Sequence, residues 1–112
     1  GKPLILLDRG SENAEVGLAM VVGRAELELF LPGCNSLKDK RQVLRSILER
    51  VRGRFNLAAA EVGEQDRWNA AVVGLACVSG DPGHARELLE GALRFIEADG
   101  RCEIVGRHLE VS

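Results

Sequence analysis

Basic residues are concentrated in one segment of the chain. From Lys38 to Arg54 there are seven basic and two acidic residues, although the whole protein has a formal net charge of −2. In a helix of about 3.6 residues per turn, six of the seven lie where they can reach solvent together. Because the planar fork of arginine binds phosphate oxygens in pairs, the segment predicts a nucleic-acid-binding ridge. Its residues are Lys38, Arg41, Arg45, Arg50, Arg52 and Arg54.

A solvated helix face is the alternative interpretation of the same residues. Runs of charge are weak motifs, and Glu49 lies at helical spacing from Arg45 and Arg52, where it could pair with both. The seventh basic residue, Lys40, points toward the apolar edge of the helix, so it is expected to snorkel along that edge until its ammonium reaches solvent. The sequence leaves both interpretations of the ridge open.

A second candidate for chemistry is the loop before this helix, which reads PGCNSLK at residues 32–38. Its backbone amides, the helix N-terminus and Lys38 together could bind an anion. Acylphosphatases bind phosphate in such a loop, but the segment lacks the glycine-rich loop with an arginine that their chemistry uses. We therefore predict a protein without catalytic residues, in which Ser36 is the helix cap.

The cysteines and histidines predict no metal site. Cys34, Cys77 and Cys102 are odd in number, far apart and without a CxxC pair, a pattern that disfavours zinc sites and disulfide frameworks. Three reduced thiols in the cytoplasm are expected, with Cys77 buried in a strand. His84 and His108 have no sequence neighbour that would complete a metal pair or catalytic dyad, so they are expected at the surface. No metal and no cofactor is predicted.

A group of carboxylates flanks the predicted turn after residue 62. Glu61, Glu64 and Asp66 could bind a cation there. The polarity that turns generally have explains the same residues equally well. Both interpretations stay open at the level of sequence.

Composition excludes several classes of protein. A chain of 112 residues suits one small domain. The net charge of −2 excludes a generally basic nucleic-acid coat, and an aromatic content of 4% disfavours a large base-stacking surface. No apolar run approaches the roughly 20 residues that span a bilayer, so no membrane partner is expected.

The apolar periodicity predicts an alternation of strands and helices in the order βαββαβ. Alternation of period two indicates strands, and apolar residues at helical spacing indicate helices that begin after the caps Ser36 and Asp81, the second with Pro82 as its first residue. Gly53 and Gly100 are predicted to end the two helices. The four predicted strands are Met20–Leu31, Phe55–Val62, Trp68–Ser79 and Arg101–Val111.

This order predicts an α+β, ferredoxin-like sandwich: a four-stranded antiparallel sheet with both helices on one face and the first and third strands central. The domain is predicted to span residues 20–112. Residues 1–19 are interpreted as an N-terminal extension or a cloning remnant that is expected to be poorly ordered, and they take no part in the fold prediction.

The sheet face without helices is predicted to carry small apolar residues, so it is expected to be an interface or a binding platform. Its predicted members are Ala58, Ala60, Ala71 and Val73, or the residues that alternate with them. A homodimer closed by this face is the alternative to nucleic-acid binding. RNA-recognition motifs share the strand order, but the third strand here has no aromatic residue inside it. Trp68 lies at its edge and is interpreted as a packing anchor or a dimer contact.

Four motifs in order resemble the YlxP-like family of small bacterial proteins of unknown function. They are LPGCNSLKDKR (31–41), RFNLAAAEV (54–62), QDRWNAAVVGLACVSGD (65–81) and LRFIEADGRCEIV (93–105). The resemblance covers Met20 to about Val111 and implies a ferredoxin-like fold. It also implies a ribosome-related role, because genes of the family often lie near those for translation initiation and ribosome maturation. It carries over no activity and no catalytic residue. Ribosomal RNA or a ribosomal subunit is therefore the expected partner.

Overall fold

The computed structural model describes residues 19–112, which form one sheet covered by two helices. The sheet order is β2-β3-β1-β4, and every neighbouring pair is antiparallel. This arrangement confirms the predicted α+β ferredoxin-like fold with the first and third strands central. Residues 1–18 of the predicted extension lie outside the described residues. The elements are β1 (Val21–Phe30), α1 (Leu37–Arg54), β2 (Ala58–Gly63), β3 (Ala70–Ser79), α2 (Pro82–Glu97) and β4 (Glu103–Val111).

The end of α1 differs from the prediction. Gly53 lies inside the helix, and its φ is not in the left-handed region that a glycine stop would need. The helix ends because Phe55 takes an extended conformation (φ −121°, ψ 143°) while its N–H still donates to the Val51 carbonyl at 2.9 Å. Phe55 is therefore the cap of α1, so the predicted second strand begins only at Ala58.

The core lies between the sheet and the helices. Alternate residues of β1 point into it, and Leu27 is fully inaccessible to solvent. Helix α1 packs mainly on β2, whereas α2 packs on β1, β3 and β4. Burial of these apolar stripes is the main stabilising contribution, since each fully buried aliphatic side chain contributes about 1.5–3 kcal/mol. Within residues 19–112, neither helix combines the length and the apolar character that crossing a membrane requires.

The composition of the uncovered sheet face corrects part of the prediction. Ala71 and Val73 belong to the core, with exposures of 1% and 0%. Ala58 and Ala60 do lie on the uncovered face, because Ala59 between them is the residue of β2 that points into the core. In β3 the uncovered face is formed by the alternate residues Val72, Gly74, Ala76 and Val78.

Gly23 is a position where the fold requires the absence of a side chain. A Cβ there would lie 2.9 Å from Leu89 Cδ1 and 3.1 Å from Cys77 Sγ, and both side chains are buried. Gly23→Ala should therefore lower the free energy of unfolding by about 1–3 kcal/mol, because α2 would be pushed off the sheet.

Gly106→Ala is the matched control for this prediction. A Cβ at Gly106 would approach Glu28 Oε1 at 2.7 Å, but this atom is the end of an exposed side chain that can turn into solvent. The change should stay within about 0.5 kcal/mol of wild type. Urea unfolding of both variants measures the difference, and equal losses at the two positions would contradict the packing argument.

Candidate nucleic-acid interface

The N-terminus of α1 is fixed by two hydrogen bonds of Asp39. Ser36 Oγ accepts from the Asp39 N–H at 3.1 Å, which confirms Ser36 as the cap, and the Asp39 carboxylate accepts from the Asn35 N–H at 3.0 Å. The Asp39 carboxylate therefore places a negative charge in the first turn of the helix, which disfavours binding of an anion there. This geometry argues against an acyl-phosphate site in the loop before α1.

Four of the predicted basic residues share one side of α1, which we call the β2 flank: Lys38, Arg41, Arg45 and Arg52. At about 100° per residue they lie within roughly 60° of one another. All four side chains are exposed. The flank faces β2, because Arg52 Nη1 donates to the Ala59 carbonyl at 2.8 Å. The structure therefore brings these four cations together along the edge of the sheet.

Arg50 and Arg54 lie on the opposite side of α1, against α2. Their guanidinium carbons are each 5.4 Å from the centre of the Phe95 ring, and Arg50 Nη1 is 3.2 Å from Asp99 Oδ2. Both residues are exposed, but they are stacked against an aromatic ring, and Arg50 also has a counter-ion. The six predicted residues therefore form two groups instead of one ridge.

The β2 flank carries its charge without counter-ions inside the described part of the chain. Among residues 19–112 no ion pair contains Lys38, Arg41, Arg45 or Arg52. In the same region Glu49 forms no ion pair either, so the predicted pairing of Glu49 with Arg45 and Arg52 is not present. Four neighbouring cations that form no ion pair within residues 19–112 leave a local excess of positive charge that favours a polyanion.

Arg101 is a basic residue near α1 that the sequence analysis missed. Its Nε and Nη2 donate to Asp99 at 2.6 and 2.8 Å, and Nη2 also donates to Ser46 Oγ of α1 at 3.1 Å. The Asp99 side chain is only 4% exposed. Hydrogen bonds from Arg101 are the main cause that holds the pKa of Asp99 below its ordinary value of 3.8. This cluster joins α1 to the start of β4 and is a structural contact.

Asp99→Asn should lower the free energy of unfolding by about 1–3 kcal/mol at neutral pH, because the charge-assisted hydrogen bonds weaken. A depressed pKa in the folded state means that the carboxylate stabilises the fold above its ordinary pKa. That stabilisation is lost as the pH falls through the folded value. The difference between wild type and variant should therefore shrink below about pH 4. Urea unfolding across this pH range measures it, and a pH-independent difference would contradict the role of the charge.

The prediction that the Lys40 ammonium snorkels to solvent is wrong. The residue is 1% exposed, and its Nζ donates to the carbonyls of Glu64 (2.9 Å), Ala70 (3.0 Å) and Gln65 (3.4 Å). Those three bonds use all three ammonium protons. The Glu61 carboxylate lies 3.0 Å away as an ion-pair partner, although Oε2 accepts no hydrogen bond. Lys40 thus fastens α1 to the β2–β3 turn.

The contacts of Lys40 also show which cation lies against the acidic turn. Of Glu61, Glu64 and Asp66, the first offers its carboxylate and the second its carbonyl to the Lys40 ammonium. Glu64 is the only non-glycine residue with a positive φ (58°) among residues 19–112, and that turn directs its carbonyl toward Nζ. The cation bound by this turn is a side chain of the protein itself.

Nucleophilic and metal-ligating side chains are not gathered into a site within residues 19–112. The three cysteines are buried and unpaired, which confirms the predicted free thiols, and burial raises the pKa of the Cys102 thiol to about 11. His84 and His108 are exposed. In this part of the chain no three His, Cys, Asp or Glu side chains approach one another as metal ligands do.

The uncovered sheet face does not resemble the base-stacking platform of RNA-recognition motifs. Strand β3 contains no aromatic residue, and Trp68 lies before it in the turn, 46% exposed. Phe30, at the end of β1, is the aromatic residue that the strands place on this face, and it is 37% exposed. Recognition of nucleic acid would therefore depend on phosphate contacts along α1 and not on stacked bases.

Two comparisons with known proteins are informative. A family model described as "Protein of unknown function (DUF503)" matches residues 22–108. The "Uncharacterized protein YlxP" of Bacillus subtilis (strain 168) is 38% identical over 78 residues, which cover 70% of this chain and 85% of that protein. These matches confirm the resemblance found in the four sequence motifs.

Proposed function

We infer that this chain, which belongs to the DUF503 family of proteins of unknown function, is a non-enzymatic RNA-binding module that uses the β2 flank of α1. The observation that supports this function is the group of four exposed cations on one side of a helix. No carboxylate of residues 19–112 forms an ion pair with any of them. Phosphates of an RNA backbone would supply the missing counter-charge.

Arg52 illustrates how the flank is prepared for phosphate. One of its five N–H donors is held by the Ala59 carbonyl at 2.8 Å, so the guanidinium is oriented before a ligand arrives. Within residues 19–112 the remaining donors have no acceptor, so they can donate to phosphate oxygens. Pre-orientation lowers the side-chain entropy that binding would otherwise lose, which is about 0.5–1.5 kcal/mol for a long side chain.

The partner we propose is ribosomal RNA or a ribosomal subunit, in the cytoplasm. The charge on the flank favours a polyanion, and the resemblance to the YlxP-like family favours the ribosome as its source. Direct reading of bases is not part of the proposal, because strand β3 has no aromatic residue on which bases could stack. Binding should accordingly follow backbone geometry and charge more than sequence.

The test is co-sedimentation of the full chain with purified bacterial ribosomal subunits and with free ribosomal RNA at low and moderate salt. We expect salt-sensitive binding by the wild type and its loss in Arg41→Glu/Arg45→Glu. The matched control is Arg86→Glu/Arg107→Glu, which changes the net charge equally at two exposed arginines outside α1. The control should bind nearly as well as the wild type.

Two outcomes would overturn the proposal. If the wild type binds neither subunits nor RNA at either salt concentration, the flank is only a solvated surface. Equal loss of binding in the two double variants would mean that total charge governs association and that the β2 flank has no special role. Thermal unfolding of both variants verifies that each remains folded.

A further inference from the structure

The uncovered face of the sheet is a regular grid whose rows are given by the strand registers. Residues paired across neighbouring strands lie side by side, and each step along a strand on one face is two residues. One row, which we call the Arg24 row, contains Ala58, Ala76, Arg24 and Glu110. The next row, the Glu26 row, contains Ala60, Gly74, Glu26 and His108.

One half of this grid is apolar and exposed. Val78 is 65% exposed, Val62 is 56% exposed and Val22 is 38% exposed. Between them lie alanine and glycine residues of β2 and β3, which are too small to cover the backbone of the sheet. An apolar strip across three strands is unusual on a monomer and indicates contact with another surface.

The other half of the grid, on β1 and β4, carries alternating basic and acidic side chains. Arg24 pairs with Glu26 along β1 and stands opposite Glu110 of β4. His108 stands opposite Glu26, and its Nε2 is 2.8 Å from Glu110 Oε1. From β1 to β4, the Arg24 row therefore contains a cation followed by a carboxylate, and the Glu26 row contains a carboxylate followed by an imidazole.

The free edge at β2 is not available for pairing with another strand. Alternate residues of an edge strand direct their carbonyls outward. The Ala59 carbonyl accepts from Arg52 Nη1 at 2.8 Å, and the Glu61 carbonyl accepts from Gln65 Nε2 at 3.5 Å. Both outward carbonyls are thus covered by side chains of the same chain. A partner that covers the apolar strip must stack on the face.

We propose that the uncovered sheet face binds a second copy of this chain, around a twofold axis that runs across the strands between the Arg24 row and the Glu26 row. Such an axis places each row over the other row of the partner. Arg24 then lies over the partner's Glu26, and Glu110 lies over the partner's His108. Because Arg24 and Glu26 are opposite in charge, the rotation makes both contacts between them attractive, and the Glu110 carboxylate can accept a hydrogen bond from the partner's His108 imidazole.

The apolar half obeys the same rotation. Ala58 lies over the partner's Ala60, and Ala76 lies over the partner's Gly74, so small side chains meet at the axis. Two sheets can then approach to the usual distance of about 10 Å with their strands within about 30° of each other. Farther from the axis Val78 meets the partner's Val72. Val22 meets the partner's Glu28 in the outer row, which is the one unfavourable pairing.

The area is sufficient for a specific dimer. The sheet has 35 strand residues (10, 6, 10 and 9), and each covers about 16 Å² at the usual strand spacing and rise. The flat face is then about 550 Å² per copy, or about 1,100 Å² for both. A biological interface should exceed about 1,000 Å².

The same axis has a consequence for the basic flank, which rests on the proposed function. A rotation about a line that crosses the strands keeps both β2 edges on one side of the dimer. The two α1 helices, which pack on β2, would lie on that side as well. Two β2 flanks would then face one RNA, and binding by both would raise the avidity above that of a single flank.

The experiment is sedimentation velocity on the full chain up to about 100 μM, a range that detects micromolar dissociation constants. The wild type should dimerise. Arg24→Glu and Glu26→Arg should each be monomeric, with the association constant reduced at least about 100-fold, because like charges meet twice across the axis. A mixture of the two single variants should dimerise, since glutamates of one copy then face arginines of the other.

The swap variant Arg24→Glu/Glu26→Arg should restore the homodimer for the same reason. Each single variant breaks the exposed Arg24–Glu26 pair within the chain, which is worth under about 1 kcal/mol. Arg24→Glu also places a carboxylate opposite Glu110, and Glu26→Arg places a cation opposite His108. These positions are exposed and such cross-strand pairs are worth about 0.2–1 kcal/mol, so all variants should stay folded. A monomeric wild type would overturn the proposal. Dimers unaffected by the single changes, or a mixture that stays monomeric, would overturn it too. None of these results decides whether the β2 flank is the RNA-binding surface, which the α1 variants test separately.

Discussion

Replacing Lys40 by methionine should lower the free energy of unfolding by about 3–5 kcal/mol, the largest loss of stability that we expect from a single substitution. Methionine keeps the apolar stem but removes the ammonium. Three carbonyls of the β2–β3 turn then lose their hydrogen-bond donor, and the Glu61 carboxylate loses its counter-ion. Unsatisfied buried polar groups each cost about 1–3 kcal/mol.

The matched control is Lys38→Met, two residues earlier on the same helix but exposed and without an ion pair inside residues 19–112. That change should stay within about 0.5 kcal/mol of wild type. Urea unfolding gives both values. A Lys40→Met protein within about 1 kcal/mol of wild type would show that the ammonium does not hold the turn. Adding Glu61→Gln to Lys40→Met should cost less than the sum of the two single changes.

Reversing two charges of the β2 flank should change the salt dependence of RNA binding. For single strands each phosphate contact contributes about 0.7 to the slope of log affinity against log salt. Four contacts predict a loss of affinity of about 50-fold between roughly 50 and 200 mM salt. Arg41→Glu/Arg45→Glu leaves two contacts and should lose only about sevenfold over the same range, starting from a weaker affinity.

Fluorescence anisotropy with a labelled ribosomal RNA fragment measures these slopes. The control variant Arg86→Glu/Arg107→Glu should keep the slope of the wild type, because neither arginine lies on the flank. If the flank variant keeps the full slope while its affinity falls, the contacts with phosphate are elsewhere. That result would move the site away from α1.

The order and type of the elements follow from local patterns. Alternation along β1, the cap at Ser36 and the Asp81-Pro82 start of α2 are visible within a few residues of sequence. The sequence does not show which alternate residues of β3 point into the core. Ala71 and Val72 are both apolar, so neither side of the strand can be excluded as the buried one. Only the pairing with β1 determines which of them points into the core.

The candidate site was predictable in composition but not in arrangement. The sequence indicates a basic helix, and all six named residues are exposed. The division into two sides depends on α2, because Phe95 and Asp99 attract Arg50, and that contact is formed across 49 residues of separation. Arg101 was missed for the same reason, since only the folded chain brings it beside Ser46.

Lys40 shows a signal that sequence could have offered. It lies on the apolar side of α1 among buried neighbours such as Leu44, where a lysine is expected only if its charge is compensated. Its partners are backbone carbonyls of the β2–β3 turn and of Ala70, more than 20 residues away. No residue type in that segment indicates that a carbonyl points inward. Backbone conformation, including the positive φ of Glu64, creates that site.

The most direct test of the proposed function is an NMR titration of the isotope-labelled full chain with a ribosomal RNA fragment. If the β2 flank is the binding surface, the amides of residues 38–52 and of Ala59 shift or broaden first, and those of Ala76 and Val78 on the uncovered sheet face stay in place. Perturbations confined to the sheet face, with α1 unchanged, would contradict the assignment of RNA binding to α1.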